Sequence, residues 1–128
     1  MKESKQKTIL VVDDEPSINL ICSKVLTKAG HKVDIAINAK IAQEILSIWE
    51  YDLCLIDIRT PTMNGIELYQ WLKEHHPAQA DRVIFTSGDV YSEDIEEGIE
   101  LSTKRFLPKP FTTKELEVAV KEFFKEVE

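Results

Sequence analysis

The chain has 128 residues, 43% hydrophobic and 30% charged, the size and balance of one globular domain. Its net charge of −7 disfavours a dedicated nucleic-acid surface, which needs clustered Lys and Arg. No apolar run approaches the length that spans a bilayer, and the charged start (residues 1–7) lacks a signal peptide's apolar stretch, so the expected location is the cytoplasm.

Strand and helix patterns alternate five times, which predicts an α/β domain with a parallel sheet and helices on both faces. The first strand is Ile9-Leu10-Val11-Val12. Pro16 suits the first turn of the helix that follows, because its missing N–H has no intrahelical partner there. Ile18, Ile21, Val25 and Leu26 recur at helical spacing and Gly30 ends the segment. Residues 33–36 form a second strand. Asn38 caps a second helix whose expected apolar stripe is Ile41, Ile45, Leu46 and Trp49.

The third strand is Leu53-Cys54-Leu55-Ile56-Asp57. A helix then begins near Asn64-Gly65, passes through Ile66, Leu68, Tyr69 and Leu72, and stops at about His75, ahead of Pro77. Val83-Ile84-Phe85-Thr86 is the fourth strand. A weak fourth helix is expected between Ser92 and Thr103. Only Ile95, Ile99 and Leu101 anchor it, and Gly98 costs it ~1 kcal/mol against Ala. Its Glu93, Asp94, Glu96, Glu97 and Glu100 read as a solvated face or as a movable element. A fifth strand over 105–107 leads through Pro108-Lys109-Pro110 to a last helix from Thr112 or Thr113. Leu116, Val120, Phe123 and Val127 give that helix a core stripe. Phe124 widens the stripe, either against the first helix or toward a partner. Cys22, in a helix, and Cys54, in a strand, have no metal-ligand spacing. Cys54 reads as a small core residue, and no disulfide is expected.

Four of the apolar runs end in polar residues: Asp13-Asp14, Asp57, Ser87 and Lys109. Buried parallel strands that carry reactive groups at their carboxyl ends build one site at one sheet edge. Three carboxylates brought together repel one another unless a cation offsets them, and oxygen-only ligands favour a hard ion such as Mg²⁺. A metal, an ammonium and a hydroxyl around one carboxylate suit phosphoryl transfer, which is catalysed mostly by positioning and charge stabilisation.

The motifs Val11-Val12-Asp13-Asp14-Glu15, Asp57-Ile58-Arg59-Thr60-Pro61-Thr62-Met63-Asn64-Gly65, Ser87-Gly88 and Phe106-Leu107-Pro108-Lys109-Pro110-Phe111 span nearly the whole chain. In this order and spacing the chain resembles a receiver domain of the two-component response regulators, covering residues 8–128 after a tail at 1–7. The resemblance implies a flavodoxin-like, doubly wound (βα)5 fold with strand order 2-1-3-4-5. It implies that Asp57 accepts a phosphoryl group from a histidine kinase, a histidine phosphotransfer protein or a small donor such as acetyl phosphate. Asp14 would bind Mg²⁺ directly, Asp13 through water, and the Arg59 backbone carbonyl would add a ligand. Ser87 and Lys109 would contact phosphoryl oxygens, and the Lys109-Pro110 bond would be cis.

Ser87 stands where the family more often has Thr, with Thr86 the competing hydroxyl. Alternation lets only one of the two reach the site, and spacing favours Ser87. Thr60 replaces a frequent Met, which changes a loop contact. Phe106 occupies the aromatic switch position without a phenol, so packing must bias any switching. The resemblance implies that the positions of Arg59 and Asp89 flank the mouth of the site, where a pair between them would partly screen the acylphosphate from water. The expected output surface is the fourth helix, fifth strand and last helix, read by an output domain or protein or used in a phosphorylation-dependent homodimer.

The competing functions are a Mg²⁺-dependent phosphohydrolase with an aspartyl-phosphate intermediate and a non-switching docking receiver. The first fits poorly, because haloacid-dehalogenase-like enzymes place nucleophile and helper acid as Asp-x-Asp on the first strand. Here Asp13 and Asp14 are adjacent and the nucleophile lies on the third.

Overall fold

The computed structural model describes residues 6–60, 63–88 and 105–128. The expected fourth helix and Asp89 lie outside them. Among the described residues the elements run β1 (Thr8–Val12), α1 (Pro16–Lys28), β2 (Lys32–Ala36), α2 (Ala39–Leu46), β3 (Leu53–Asp57), α3 (Gly65–His75), α4 (Pro77–Ala80), β4 (Val83–Ser87), β5 (Phe106–Pro108) and α5 (Thr113–Val127). All five strands pair in parallel, in the order β2-β1-β3-β4-β5. No helix among the described residues is long and apolar enough to cross a membrane.

Alternation along the strands divides the core in two. Leu10, Val12, Cys54, Ile56, Val83 and Phe85 face α2 and α3 through Ala39, Ala42, Leu46, Leu68 and Leu72. Ile9, Val11, Leu53, Leu55 and Ile84 face α1 and α5 through Cys22, Leu26, Leu116, Val120 and Phe123. Because both faces are covered, β3 and β4 are buried at every position, and their polar residues fall at the carboxyl ends. Phe124 belongs to the second core, tilted against His31 at 5.4 Å between ring centroids, so the widened stripe of the last helix packs inward. Burying a ring of this size stabilises the fold by ~1.5–3 kcal/mol.

The helix boundaries follow local chemistry. Gly30 has φ +97° and closes α1 where a side chain would be strained. The Asn38 side chain accepts from the Ile41 amide to start α2. Full capping boxes, Asn64 with Glu67 and Thr112 with Glu115, start α3 and α5.

The expected stripe of α2 needs correction. The helix ends at Leu46, and Trp49 lies beyond it, 64% exposed. The residues that seat α2 on the sheet are Ala39, Ala42 and Leu46, with Ile41 and Ile45 only partly buried. A helix this short approaches the sheet closely through small residues, and the chain must turn at once to enter β3. The short turn α4 begins at Pro77, where the sequence pattern shows only the end of α3. It carries Gln79, whose side-chain amide exchanges two hydrogen bonds with the Tyr51 backbone at 2.8 and 3.0 Å and so anchors the entry to β3.

His31 gives a pH test of the pole opposite the carboxyl ends of the strands. Its Nδ1 accepts from the Lys7 amide at 3.4 Å. Burial, reinforced by the Lys7 charge and opposed by Asp52, holds its pKa below the usual histidine value. The unfolded chain therefore takes up this proton first as pH falls, and the stability present above about pH 6.5 is lost through the lower folded-state pKa. Denaturation curves at pH 7.5 and pH 5.5 are expected to show a smaller acid-induced loss for His31→Gln than for the parent chain.

Candidate phosphoryl-transfer site

The chain order of the strands reverses its direction across the sheet between β1 and β3, and this opens a crevice at their carboxyl ends. Asp13 follows β1 directly, its amide still donating to the Ala36 carbonyl at 3.1 Å. It is buried, whereas Asp14 is exposed at the rim. The Glu15 amide donates to Asp13 Oδ1 at 2.9 Å, and Asn19 Nδ2 donates to the Asp13 carbonyl at 2.9 Å. These bonds hold the Asp13 backbone and one carboxylate oxygen in place and leave Oδ2 facing the crevice.

Asp57 ends β3 and is 4% exposed. Its Oδ1 accepts from the Arg59 amide at 3.1 Å. Beyond it, the Ile58 amide donates to the Thr86 carbonyl and the Gly65 amide to the Ile58 carbonyl, both at 2.9 Å. Asp57 is thus fixed from β4 on one side and from the start of α3 on the other. Thr60 is buried, and its hydroxyl donates to the Met63 carbonyl at 2.6 Å.

Lys109 arrives from the loop after β5. Its amide donates to the Ser87 carbonyl at 2.9 Å, and the Lys109-Pro110 bond is cis, as expected. Its Nζ lies 2.8 Å from Asp13 Oδ2, 2.7 Å from Glu15 Oε1 and 3.3 Å from Asp57 Oδ2. Carboxylate oxygens of Asp13, Asp14 and Asp57 all lie within 4.8 Å of one another. The predicted acids and the predicted ammonium therefore meet in one place. Their oxygen-only donor set and unbalanced charge fit a hard divalent cation.

The electrostatics follow from this crowding. Burial and the neighbouring Asp13 charge push the Asp57 carboxyl above the usual range, while Lys109 and the Arg59 amide offset them in part. Burial alone would lower the Lys109 ammonium. Hydrogen bonds to Asp13 and Glu15 and the charges of Asp57 and Asp13 outweigh it and raise the pKa. Cys22, behind the site, is pushed up to about 12, first by burial and then by Asp13, so it is an inert core thiol. Cys54 is raised by burial, and both cysteines are free.

The two hydroxyl candidates are both buried. Thr86 pairs with Asp57 across the sheet, and Ser87 follows it, bonded through its carbonyl to Lys109. Phe106 is partly buried at the start of β5, paired with Phe85 and packed against the α2–α3 side of the core. Arg59 is exposed at the rim. Sequence reasoning missed Glu15, whose side chain reaches Lys109, and Asn19, whose amide holds Asp13. The signal for Glu15 was its place beside two acids that needed a cation.

Comparison with known proteins agrees with this geometry. The response regulator receiver domain family matches residues 9–121. The transcriptional regulatory protein CrdR of Helicobacter pylori is 31% identical over 119 residues, which are 93% of this chain and 55% of that protein. The response regulator protein PilR of Pseudomonas aeruginosa is 33% identical over 107 residues, 84% of this chain and 23% of that protein. The chain therefore spans little more than half of one of these relatives and about a quarter of the other. Among solved structures, the receiver domain of Francisella response regulator 1452 superposes with a TM-score of 0.83 at 26% identity, covering 96% of this chain and all of that one. A CheY-like receiver domain protein from Methanospirillum hungatei gives a TM-score of 0.85 at 26% identity, covering 95% and 96% of the two chains. With five parallel strands in the order 2-1-3-4-5 and the acids and lysine gathered at their carboxyl ends, the chain belongs to the response regulator receiver domains of two-component signalling.

Proposed function

We propose that this domain is a Mg²⁺-dependent signalling switch that accepts a phosphoryl group on Asp57. The observation that carries this reading is the contact of Lys109 Nζ with Asp57 and Asp13, within a carboxylate cluster that includes Asp14. An Asp57 oxygen attacks the phosphorus of a phosphohistidine or of acetyl phosphate. The new P–O bond forms as the bond to imidazole nitrogen or acetate oxygen breaks, and the leaving group departs with the electron pair. Asp13, Asp14, Asp57 and the Arg59 carbonyl would hold Mg²⁺, which supplies charge neutralisation to the phosphoryl oxygens. Lys109 pairs with one phosphoryl oxygen, and the Ser87 hydroxyl donates to another.

The domain acts on itself and turns over no separate substrate, so it is a switch and not an enzyme in the ordinary sense. Its donors are a histidine kinase or histidine phosphotransfer protein in the cytoplasm. The phosphorylated state biases a pre-existing equilibrium through Ser87 and Phe106 toward an output partner or a second copy of the domain. The Arg59–Asp89 pair expected from the sequence, of which Asp89 lies outside the described residues, is proposed to tune the lifetime of the acylphosphate.

The test is incubation with Mg²⁺ and acetyl phosphate, followed by intact mass. One phosphoryl group is expected on the parent chain and none on Asp57→Asn. Steady hydrolysis of phosphate esters would instead favour a phosphohydrolase, and absence of any modification would leave a docking receiver.

A further inference from the structure

We propose that Glu15 is a positioning residue that holds Lys109 in the resting state and must release it when a phosphoryl group arrives. This rests on the reading of Asp57 as the acceptor. The ammonium has three protons and three carboxylate partners, and its shortest contact, 2.7 Å, is to Glu15. Asp13 and Asp57 belong to the acidic cluster itself; Glu15 lies outside it. The Lys109 side chain is 10% exposed and the Glu15 side chain 54%, so Glu15 covers the ammonium from the solvent side.

The backbone makes this reach reproducible. The Glu15 amide is fixed on Asp13 Oδ1 at 2.9 Å, while Asp13 Oδ2 receives Lys109 at 2.8 Å. One residue thus secures the acid through its main chain and the ammonium through its side chain. A side-chain substitution removes the second hold and leaves the first.

A carboxylate oxygen bonded to Lys109 occupies the role that a phosphoryl oxygen takes on Asp57. Both are anionic acceptors, and an ammonium already satisfied by three acids gains nothing until one of them yields. Asp13 and Asp57 are held by backbone amides, whereas Glu15 is at the surface with water ready to solvate it. Glu15 is therefore the partner that yields, and its departure opposes capture of the incoming group. This contact makes Glu15 a brake on modification by small anionic donors.

Initial rates of Asp57 modification by acetyl phosphate in Mg²⁺, read by intact mass, test the brake. Glu15→Gln keeps the shape and removes the charge, and is expected to raise the rate ~3- to 5-fold, the size appropriate to a half-exposed ion pair. The gain is expected to persist at ~0.5 M salt, where the Debye length is about 4 Å and distant charges are screened. It is expected to disappear when Glu15→Gln is combined with Lys109→Ala, because the effect acts through the ammonium. An unchanged or slower Glu15→Gln overturns the inference, as does a gain that vanishes in salt or is undiminished without Lys109. Failure of the parent chain to be modified at all overturns the acceptor reading and this inference together. Modification that ignores Glu15 overturns this inference alone.

Discussion

Lys109→Ala is expected to lower stability by about 3 kcal/mol in metal-free buffer and to tighten Mg²⁺ binding roughly tenfold. The ammonium is the cation that lies within 3.3 Å of two buried carboxylates, Asp13 and Asp57, and its removal leaves their charges close together and uncompensated. Breaking a buried pair from one side is costly for that reason, even where the intact pair contributes little. The same substitution frees Asp13 Oδ2, so a divalent cation no longer competes with the lysine for it. Added Mg²⁺ should therefore restore most of the lost stability, because a ligand that binds only the folded chain stabilises it by mass action. Denaturation in EDTA and in Mg²⁺, with calorimetric titration of the metal, checks both parts. Weaker Mg²⁺ binding in the variant would show that Lys109 does not compete for the acids.

Gly65→Ala is expected to cost about 2–3 kcal/mol and to slow Asp57 modification by more than ~10-fold. A Cβ at Gly65 would stand 2.6 Å from the Asp57 carbonyl oxygen, 2.8 Å from Ile56 Cγ2 and 2.9 Å from the Ile58 Cα. Two of these neighbours are backbone of the segment that carries Asp57, the proposed acceptor, and they cannot rotate away. Relief requires α3 to back off, which strains the Gly65 amide bond to the Ile58 carbonyl, or requires β3 to shift and take Asp57 with it. Gly88→Ala is the control. Its nearest neighbour would be Lys109 Cβ at 3.9 Å, an ordinary contact, and its cost should stay within about 0.5 kcal/mol. Chemical denaturation and labelling by acetyl phosphate separate the two glycines. Equal behaviour would remove the argument for close approach at Gly65.

Much of this architecture is legible in the sequence, for specific reasons. Strands buried on both faces announce themselves as apolar runs, and reactive residues at their carboxyl ends mark the one edge where parallel strands share a crevice. Asn38 and Asn64 marked helix starts by local chemistry that needs no tertiary context. Trp49 misled because helical periodicity cannot see where a chain must turn into its next strand, and Ala39 and Ala42 carry less weight in such a pattern than Ile or Trp. The turn α4 is too short to show a period, and Gln79 acts on Tyr51, which is 28 residues away. Glu15 was missed for a related reason. Its partner lies 94 residues further along the chain, and its place beside two acids does not by itself show that it shares the lysine with Asp13.

That separation bears on how the domain is assembled. β1 lies inside the sheet between β2 and β3, yet neither of these neighbours can reach it through a hairpin, and the acids at its end meet their ammonium only after β5 has docked. A chain emerging from the ribosome carries Asp13, Asp14 and Asp57 with no lysine to oppose them until residue 109 is free to fold back. Self-repulsion at the sheet edge is then relieved by the last strand to arrive, so closure of the site reports that the whole sheet is complete. A fragment ending before β5 could pair its first four strands and still lack the charge balance that the finished domain has. The lysine that would greet a phosphoryl group is thus also a checkpoint of complete folding.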